Sequence, residues 1–249
     1  MKTAFLVQAR MGSTRLPHKI LRPFYNNNCI LDLLINKLNL IIDAKIIIAT
    51  SVSSENDVIE KFCKEHGIVC FRGEENDVLK RFIDAAETNG VDKIIRICSD
   101  NPFLELNSIK KLIEVSSNSD AEYISFDING CPSIKTHFGF WAEYVSLDAL
   151  KKVQCLTDER IYHEHVKNYI YTNPEIFKLE WIEGPICLKG RSNIRLTIDT
   201  IEDFTNARSV YAELCKVNPY PTIDEVVSYL DEHPDIYNAM VQQINKNSK

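Results

Sequence analysis

Thr3-Ala-Phe-Leu-Val-Gln8-Ala9-Arg10-Met11-Gly12-Ser13-Thr14-Arg15-Leu16-Pro17-His18-Lys19 opens as a short apolar run and breaks into a loop of small residues carrying cations. The run, residues 3–8, reads as a buried strand. The first acidic residue is Asp32, so Lys2, Arg10, Arg15, Lys19 and Arg22 have no nearby partner in sequence, although the whole chain carries a formal charge of −6. A basic loop leaving the end of a first strand is where an α/β protein holds a polyphosphate. A solvated basic surface loop is the plainer alternative.

Working outward, Ile30, Leu33, Leu34, Leu38 and Ile41 recur at helical spacing between residues 30 and 42. Lys45–Thr50 is a continuous β-branched run of the kind buried in parallel sheets. Ser54–Gly67 predicts a helix with Val58, Ile59, Phe62 and Cys63 on one face and Gly67 as its stop. A short strand follows at Ile68–Phe71, a helix at Asn76–Thr88, a strand at Asp92–Cys98 and a helix over 106–115. Alternation of this kind demands a mostly parallel sheet covered on both faces. Beyond it the pattern predicts strands at 121–126, 139–145, 177–182 and 194–198. Helices are expected at 147–153, 159–171, 202–216, 222–230 and 235–245. No linker or repeat interrupts the 249 residues, so one domain is the simpler expectation.

Hydrophobic content of 45% and charged content of 26% suit a soluble globular protein, and no apolar run approaches a bilayer span. No signal peptide is expected, because Phe5-Leu6-Val7 runs straight into Gln8 and Arg10. The acidic balance argues against nucleic-acid binding. The cysteines contain no Cys-x-x-Cys pair and predict reduced core thiols in a cytoplasmic protein.

Neither G-x-x-x-x-G-K-[ST] nor G-x-G-x-x-G occurs in the chain. The loop still makes sense for a triphosphate. Gly12 lets the backbone turn sharply, Ser13 and Thr14 offer hydroxyls, and Arg15 and Lys19 supply charge. Asp100 follows an apolar strand and precedes Asn101-Pro102, which places it at a strand's carboxyl end, where ligands gather in open α/β sheets. Asp199 ends the run Ile194–Ile198 in the same way. A turn or helix-cap role is open for both, and Asp203 reads as a helix-start residue.

Gln8-Ala9-Arg10-Met11-Gly12-Ser13-Thr14-Arg15-Leu16-Pro17-x-Lys19 resembles the signature of cytidylyltransferases that activate sugar acids. The group it is most similar to is the spore-coat-polysaccharide type, related to the acylneuraminate and 3-deoxy-octulosonate enzymes. Three more blocks extend the likeness: Cys70-Phe71-Arg72-Gly73 with Asp77-Val78-Leu79-x-Arg81-Phe82, Arg96-Ile97-Cys98-Ser99-Asp100-Asn101-Pro102, and Arg195-Leu-Thr-Ile-Asp199-Thr200-x-Glu202-Asp203. His18 stands where relatives often have glycine, and Ser99 where they usually do.

The resemblance implies an α/β, glycosyltransferase-A-like Rossmannoid fold with a mostly parallel central sheet flanked by helices. It implies a nucleotide part over about 1–118, an acceptor part over about 119–200 and C-terminal helices over 201–249. The implied activity transfers CMP from CTP to a sugar acid or related small anionic acceptor, in surface polysaccharide or glycan precursor biosynthesis. Carried over, Arg15 and Lys19 act on the phosphates as catalytic cations, and Gln8, Ala9, Arg10, Gly12, Ser13, Arg72 and Arg81 line the nucleotide. Asp100 and Asp199 hold Mg²⁺, a cation that prefers carboxylate, water and phosphate oxygens. Gly139, Glu143 and His165 belong to the acceptor side, where a plain ion pair for Glu143 and a surface role for His165 stay open. Relatives commonly pair as homodimers, and the helical tail after Pro221 is placed to serve that end. Two other functions share the fold: a glycosyltransferase using a nucleotide sugar, and a non-catalytic nucleotide-binding member.

Overall fold

The computed structural model describes residues 2–42 and 44–247. The first half alternates strand and helix: β1 (Thr3–Gln8), a small hairpin of β2 (Pro23–Tyr25) and β3 (Asn28–Cys29), α1 (Ile30–Leu38), β4 (Lys45–Ser51), α2 (Asp57–Glu65), β5 (Val69–Gly73), α3 (Val78–Asn89), β6 (Lys93–Cys98) and α4 (Leu106–Asn118). The second half contains β7 (Tyr123–Ile128), β8 (Cys131–Pro132), β9 (Glu143–Ser146), α5 (Leu147–Leu156), α6 (Arg160–Glu164), α7 (Asn168–Thr172) and β10 (Leu179–Glu183). Three helices close the chain: α8 (Ile201–Leu214), α9 (Ile223–Asp231) and α10 (Pro234–Asn247).

The sheet runs β10-β7-β9-β6-β1-β4-β5, with β8 added beside β7. β1 pairs in parallel with β4 on one side and β6 on the other, and β9 lies antiparallel between β6 and β7. Because β1 is buried on both faces, its side chains serve two cores in turn. Phe5 and Val7 join α1, α4 and α8 in one, while Ala4 and Leu6 join α3 and α5 in the other. The order reverses between β1 and β6, and the loops leaving those two strands open the crevice where such sheets bind ligands.

Several expected elements come out differently. α1 stops at Leu38, and the helix expected from Ser54 starts as a 3-10 turn with Val58 left exposed. The strand expected over 139–145 shrinks to β9. The single helix expected over 159–171 is two short ones, interrupted where His165 leaves helical geometry at φ −108° and ψ 68°. Ile194, Leu196 and Ile198 are buried in alternation without joining the sheet. The tail folds back on its own chain, with Ile223, Val226, Val227, Leu230 and Met240 buried in the core, so that apolar face is used within the protomer. Among the described residues no helix is long and apolar enough to cross a membrane.

Candidate active site

The loop after β1 is anchored from below. Met11, Leu16 and Ile20 bury their side chains in the core. The Met11 amide donates to Asn56 Oδ1 at 2.8 Å, and Asn56 in turn donates to Ser51 Oγ at 2.7 Å. His18 adopts a left-handed conformation, φ 61°, immediately before a 3-10 turn that begins at Lys19. A glycine adopts that geometry at no steric cost, and histidine takes it here instead. The result is that Lys19, a residue only 9% exposed, projects inward while Arg15 stays at the surface.

Lys19 Nζ donates to Asp100 Oδ2 at 2.7 Å and to the Ile198 carbonyl at 2.5 Å, and it lies 3.7 Å from Asp199 Oδ1. Two carboxylates separated by 99 positions in the chain therefore converge on one ammonium. Asp100 sits just past the end of β6, in a turn held by Lys37, whose ammonium donates to the carbonyls of Pro102 and Leu104. Asp199 sits just before α8, whose capping box fixes it: Asp203 accepts from the amides of Asp199 and Thr200, and Thr200 Oγ1 accepts from the Asp203 amide. Asp203 is the helix-start residue expected. Arg195 braces the same corner, donating to Asp203 at 2.8 and 2.9 Å and to Asp199 Oδ2 at 3.0 Å. Burial opposes ionisation of Asp203, but Arg195 more than compensates and holds its carboxyl below the usual range.

A cavity of about 540 Å³ opens from Asp100 and Asp199 along β6 and β9. At its floor Glu143 accepts from Tyr123 Oη at 2.7 Å, from Arg96 at 2.9 Å and from Lys167 at 3.1 Å. Burial alone would raise the Glu143 pKa, but Lys167 and Arg96 pull it below the ordinary value. Lys167 is lowered by burial and by Arg96. This buried group carries two cations against one carboxylate. His137 on the cavity wall lies 3.0 Å from Arg195 by Nδ1. A guanidinium only donates, so Nδ1 accepts and the imidazole proton belongs on Nε2. Burial and the Arg195 charge lower the His137 pKa, in keeping with that neutral ring.

The expected site residues separate into two sets. Arg15, Lys19, Asp100 and Asp199 come together, and Gly139, Glu143 and His165 all line the adjoining cavity. Gln8 contributes by accepting from Arg96 at 2.9 Å, and the Ala9 amide is fixed to the Ala49 carbonyl at 3.2 Å. At Gly12 an added Cβ would meet the Glu55 carboxylate at 2.5 Å. Ser13 Oγ accepts from the Leu16 amide at 3.4 Å within the loop.

Three residues depart from the expected contacts. Arg72 is committed to Asp57, Glu60 and the Ser51 and Ser53 carbonyls, so it braces the segment that carries Asn56. Arg81 is buried and donates to the Glu74 and Glu75 carbonyls, while its pKa is lowered by burial and by the charge of nearby Arg10. Glu143 has both oxygens occupied by protein partners, which fits the ion-pair alternative. Sequence reasoning passed over Lys167, His137 and the bracing role of Arg195. Lys167 lies two residues after His165, and only its burial beside Glu143 marks it.

A family profile described as Cytidylyltransferase matches residues 4–245. The chain is 36% identical over 244 residues to an uncharacterized protein, MJ1063, of Methanocaldococcus jannaschii, covering 96% of this chain and 94% of that one. It is 31% identical over 239 residues to the spore coat polysaccharide biosynthesis protein SpsF of Bacillus subtilis, covering 93% and 95%. Among solved structures, a cytidylyltransferase from Leptospira borgpetersenii serovar Hardjo-bovis superposes with a TM-score of 0.83 at 28% identity, covering 95% of this chain and 97% of that one.

Proposed function

The chain belongs to the cytidylyltransferase family, nucleotidyltransferases that use CTP, and we propose that it transfers CMP to a small anionic acceptor of the sugar-acid class, with release of pyrophosphate. The observation that carries this reading is the convergence of Asp100 and Asp199 on Lys19 at the sheet's reversal point, next to a cavity whose floor holds excess positive charge. Membership of the same family as a spore coat polysaccharide biosynthesis protein supports a place in glycan precursor synthesis.

In the proposed reaction an acceptor oxygen bonds to the α-phosphorus, the bond from that phosphorus to the β-phosphate bridging oxygen breaks, and the acceptor proton leaves to solvent. Charge stabilisation and alignment dominate such transfers. Arg15 and Lys19 neutralise the phosphates, while the Arg96–Glu143–Lys167 group and the Nε2 proton of His137 orient the acceptor. The two aspartates fit a divalent ion: both are oxygen donors, and the ammonium between them already marks the point as one that favours a cation. A bound Mg²⁺ would spread the negative charge that builds on the phosphates.

The test is pyrophosphate release with CTP, Mg²⁺ and a panel of sugar acids. Release that needs both CTP and one acidic acceptor is expected. Consumption of a nucleotide sugar without pyrophosphate would replace this reading with a glycosyltransferase.

A further inference from the structure

The Lys19 ammonium occupies the place that the two aspartates offer to a cation. Its side chain is 11% exposed, it is bonded to Asp100 and to the Ile198 carbonyl, and its nitrogen lies 3.7 Å from Asp199 Oδ1. The other partners of Asp199 are fixed differently. Arg195 is buried and tied to Asp203, whereas Arg15 is 53% exposed at the mouth. Among the described residues no group of three or more His, Cys, Asp and Glu side chains stands ready to hold a metal. A divalent ion entering there would therefore find two carboxylates, the Ile198 carbonyl and a positive charge already in place, which repels it. The lysine stem can rotate its compact charge away, but only toward another anion. A triphosphate provides both what the ion lacks and what the ammonium would seek.

Resting on the proposed metal role of Asp100 and Asp199, we propose that Lys19 is an internal placeholder cation, holding the metal position in the nucleotide-free protein and passing to the phosphates when metal and CTP arrive together. Bare metal then binds weakly, and metal and nucleotide bind with positive coupling. The same side chain protects the two aspartates from mutual repulsion while the site waits. Reciprocity requires that whatever CTP does to metal affinity, metal does to CTP affinity.

The probe is Mn²⁺, with free ion followed by electron paramagnetic resonance in the absence of acceptor. Without CTP, Lys19→Met should bind Mn²⁺ at least about tenfold more tightly than the parent protein, within the usual span of coupling between sites. Lys19→Arg keeps the charge and should stay weak. CTP should tighten Mn²⁺ binding strongly in the parent and much less in Lys19→Met. Lys19→Gln repeats the comparison with a polar side chain, and near-ultraviolet circular dichroism reports folding of each variant. Unchanged or weaker Mn²⁺ binding in folded Lys19→Met and Lys19→Gln overturns the placeholder role. An Asp100→Asn, Asp199→Asn protein that binds Mn²⁺ with CTP as the parent does overturns the underlying metal reading as well. Loss of binding there, with Lys19→Met unchanged, overturns the placeholder alone.

Discussion

Lys19 and Gly139 show how single residues carry this site by different means. Lys19 acts through charge, and Lys19→Ala should lower kcat for pyrophosphate release about 10²–10³-fold, the usual cost of removing one preorganised donor to a developing anion. Full turnover in that variant would remove Lys19 from the chemistry. Gly139 acts through shape: its φ is +70°, and an added Cβ would lie 3.3 Å from the backbone of Leu196 and Thr197. Those backbone atoms are held by the His137 carbonyl, which accepts from both the Leu196 and Thr197 amides, so they cannot yield. Gly139→Ala should cost about 1–3 kcal/mol in urea denaturation. It should also raise the KM for acceptor, because the same contact sets the cavity wall against the approach to Asp199. At this scale the sequence spoke through residue type alone. The motifs single out Lys19, Asp100 and Asp199, and the structure brings these three side chains together. Arg72, in β5, and Arg81, in α3, meet carboxylates and carbonyls of the protein itself, and a cation read from sequence looks the same whether it meets a ligand or braces the backbone.

The short helices α6 and α7 form a strap over the cavity, delivering His165, Lys167, Asn168 and Tyr171 to its lining. His163 ties this strap to α3. Its Nδ1 meets Asp77 at 2.8 Å and its Nε2 meets the Thr157 carbonyl at 3.0 Å, two acceptors that together favour the doubly protonated ring. Burial opposes the charge, but Asp77 and the Thr157 carbonyl outweigh it and the pKa is raised. A histidine raised on folding contributes stability that is fully present below its unfolded pKa, near 6.5, and fades as pH rises through the higher folded value. The stability gap between the parent and His163→Gln should therefore be widest near pH 5.5 and shrink toward pH 8, as read from urea midpoints. A gap that grows with pH would mean a neutral ring. The break that creates the strap was invisible in sequence, since residues 159–171 hold a helical pattern throughout, and only Lys167 reaching Glu143 shows why the chain turns. Ile194, Leu196 and Ile198 misled for a related reason: alternation reports that one face of an extended segment is buried, and burial does not require a strand partner. The first half was legible element by element because parallel strands buried on both faces write themselves as unbroken apolar runs.

Across the whole molecule, the site exists only where distant parts of the chain meet. The loop after β1, the end of β6 and the start of α8 supply the cations and carboxylates, and the strap with β9 supplies the floor of the adjoining cavity. A ligand that bridges these parts stabilises the fold as a unit, by about 2.7 kcal/mol when present at roughly a hundred times its dissociation constant. For a chain of 249 residues that corresponds to a rise in Tm of roughly 5–10 °C. CTP with Mg²⁺ should produce such a shift in differential scanning fluorimetry. Removing the ion with a chelator should abolish most of it, because CTP alone leaves the metal position to Lys19. Asp100→Asn and Asp199→Asn should each blunt the metal-dependent part while leaving a smaller shift from the phosphates on Arg15 and Lys19. UTP and GTP serve as the contrast: cytosine recognition predicts a weaker shift with both. Equal shifts with all three nucleotides would leave the phosphate grip intact and assign the loop after β1 to the triphosphate alone, with no part in choosing the base.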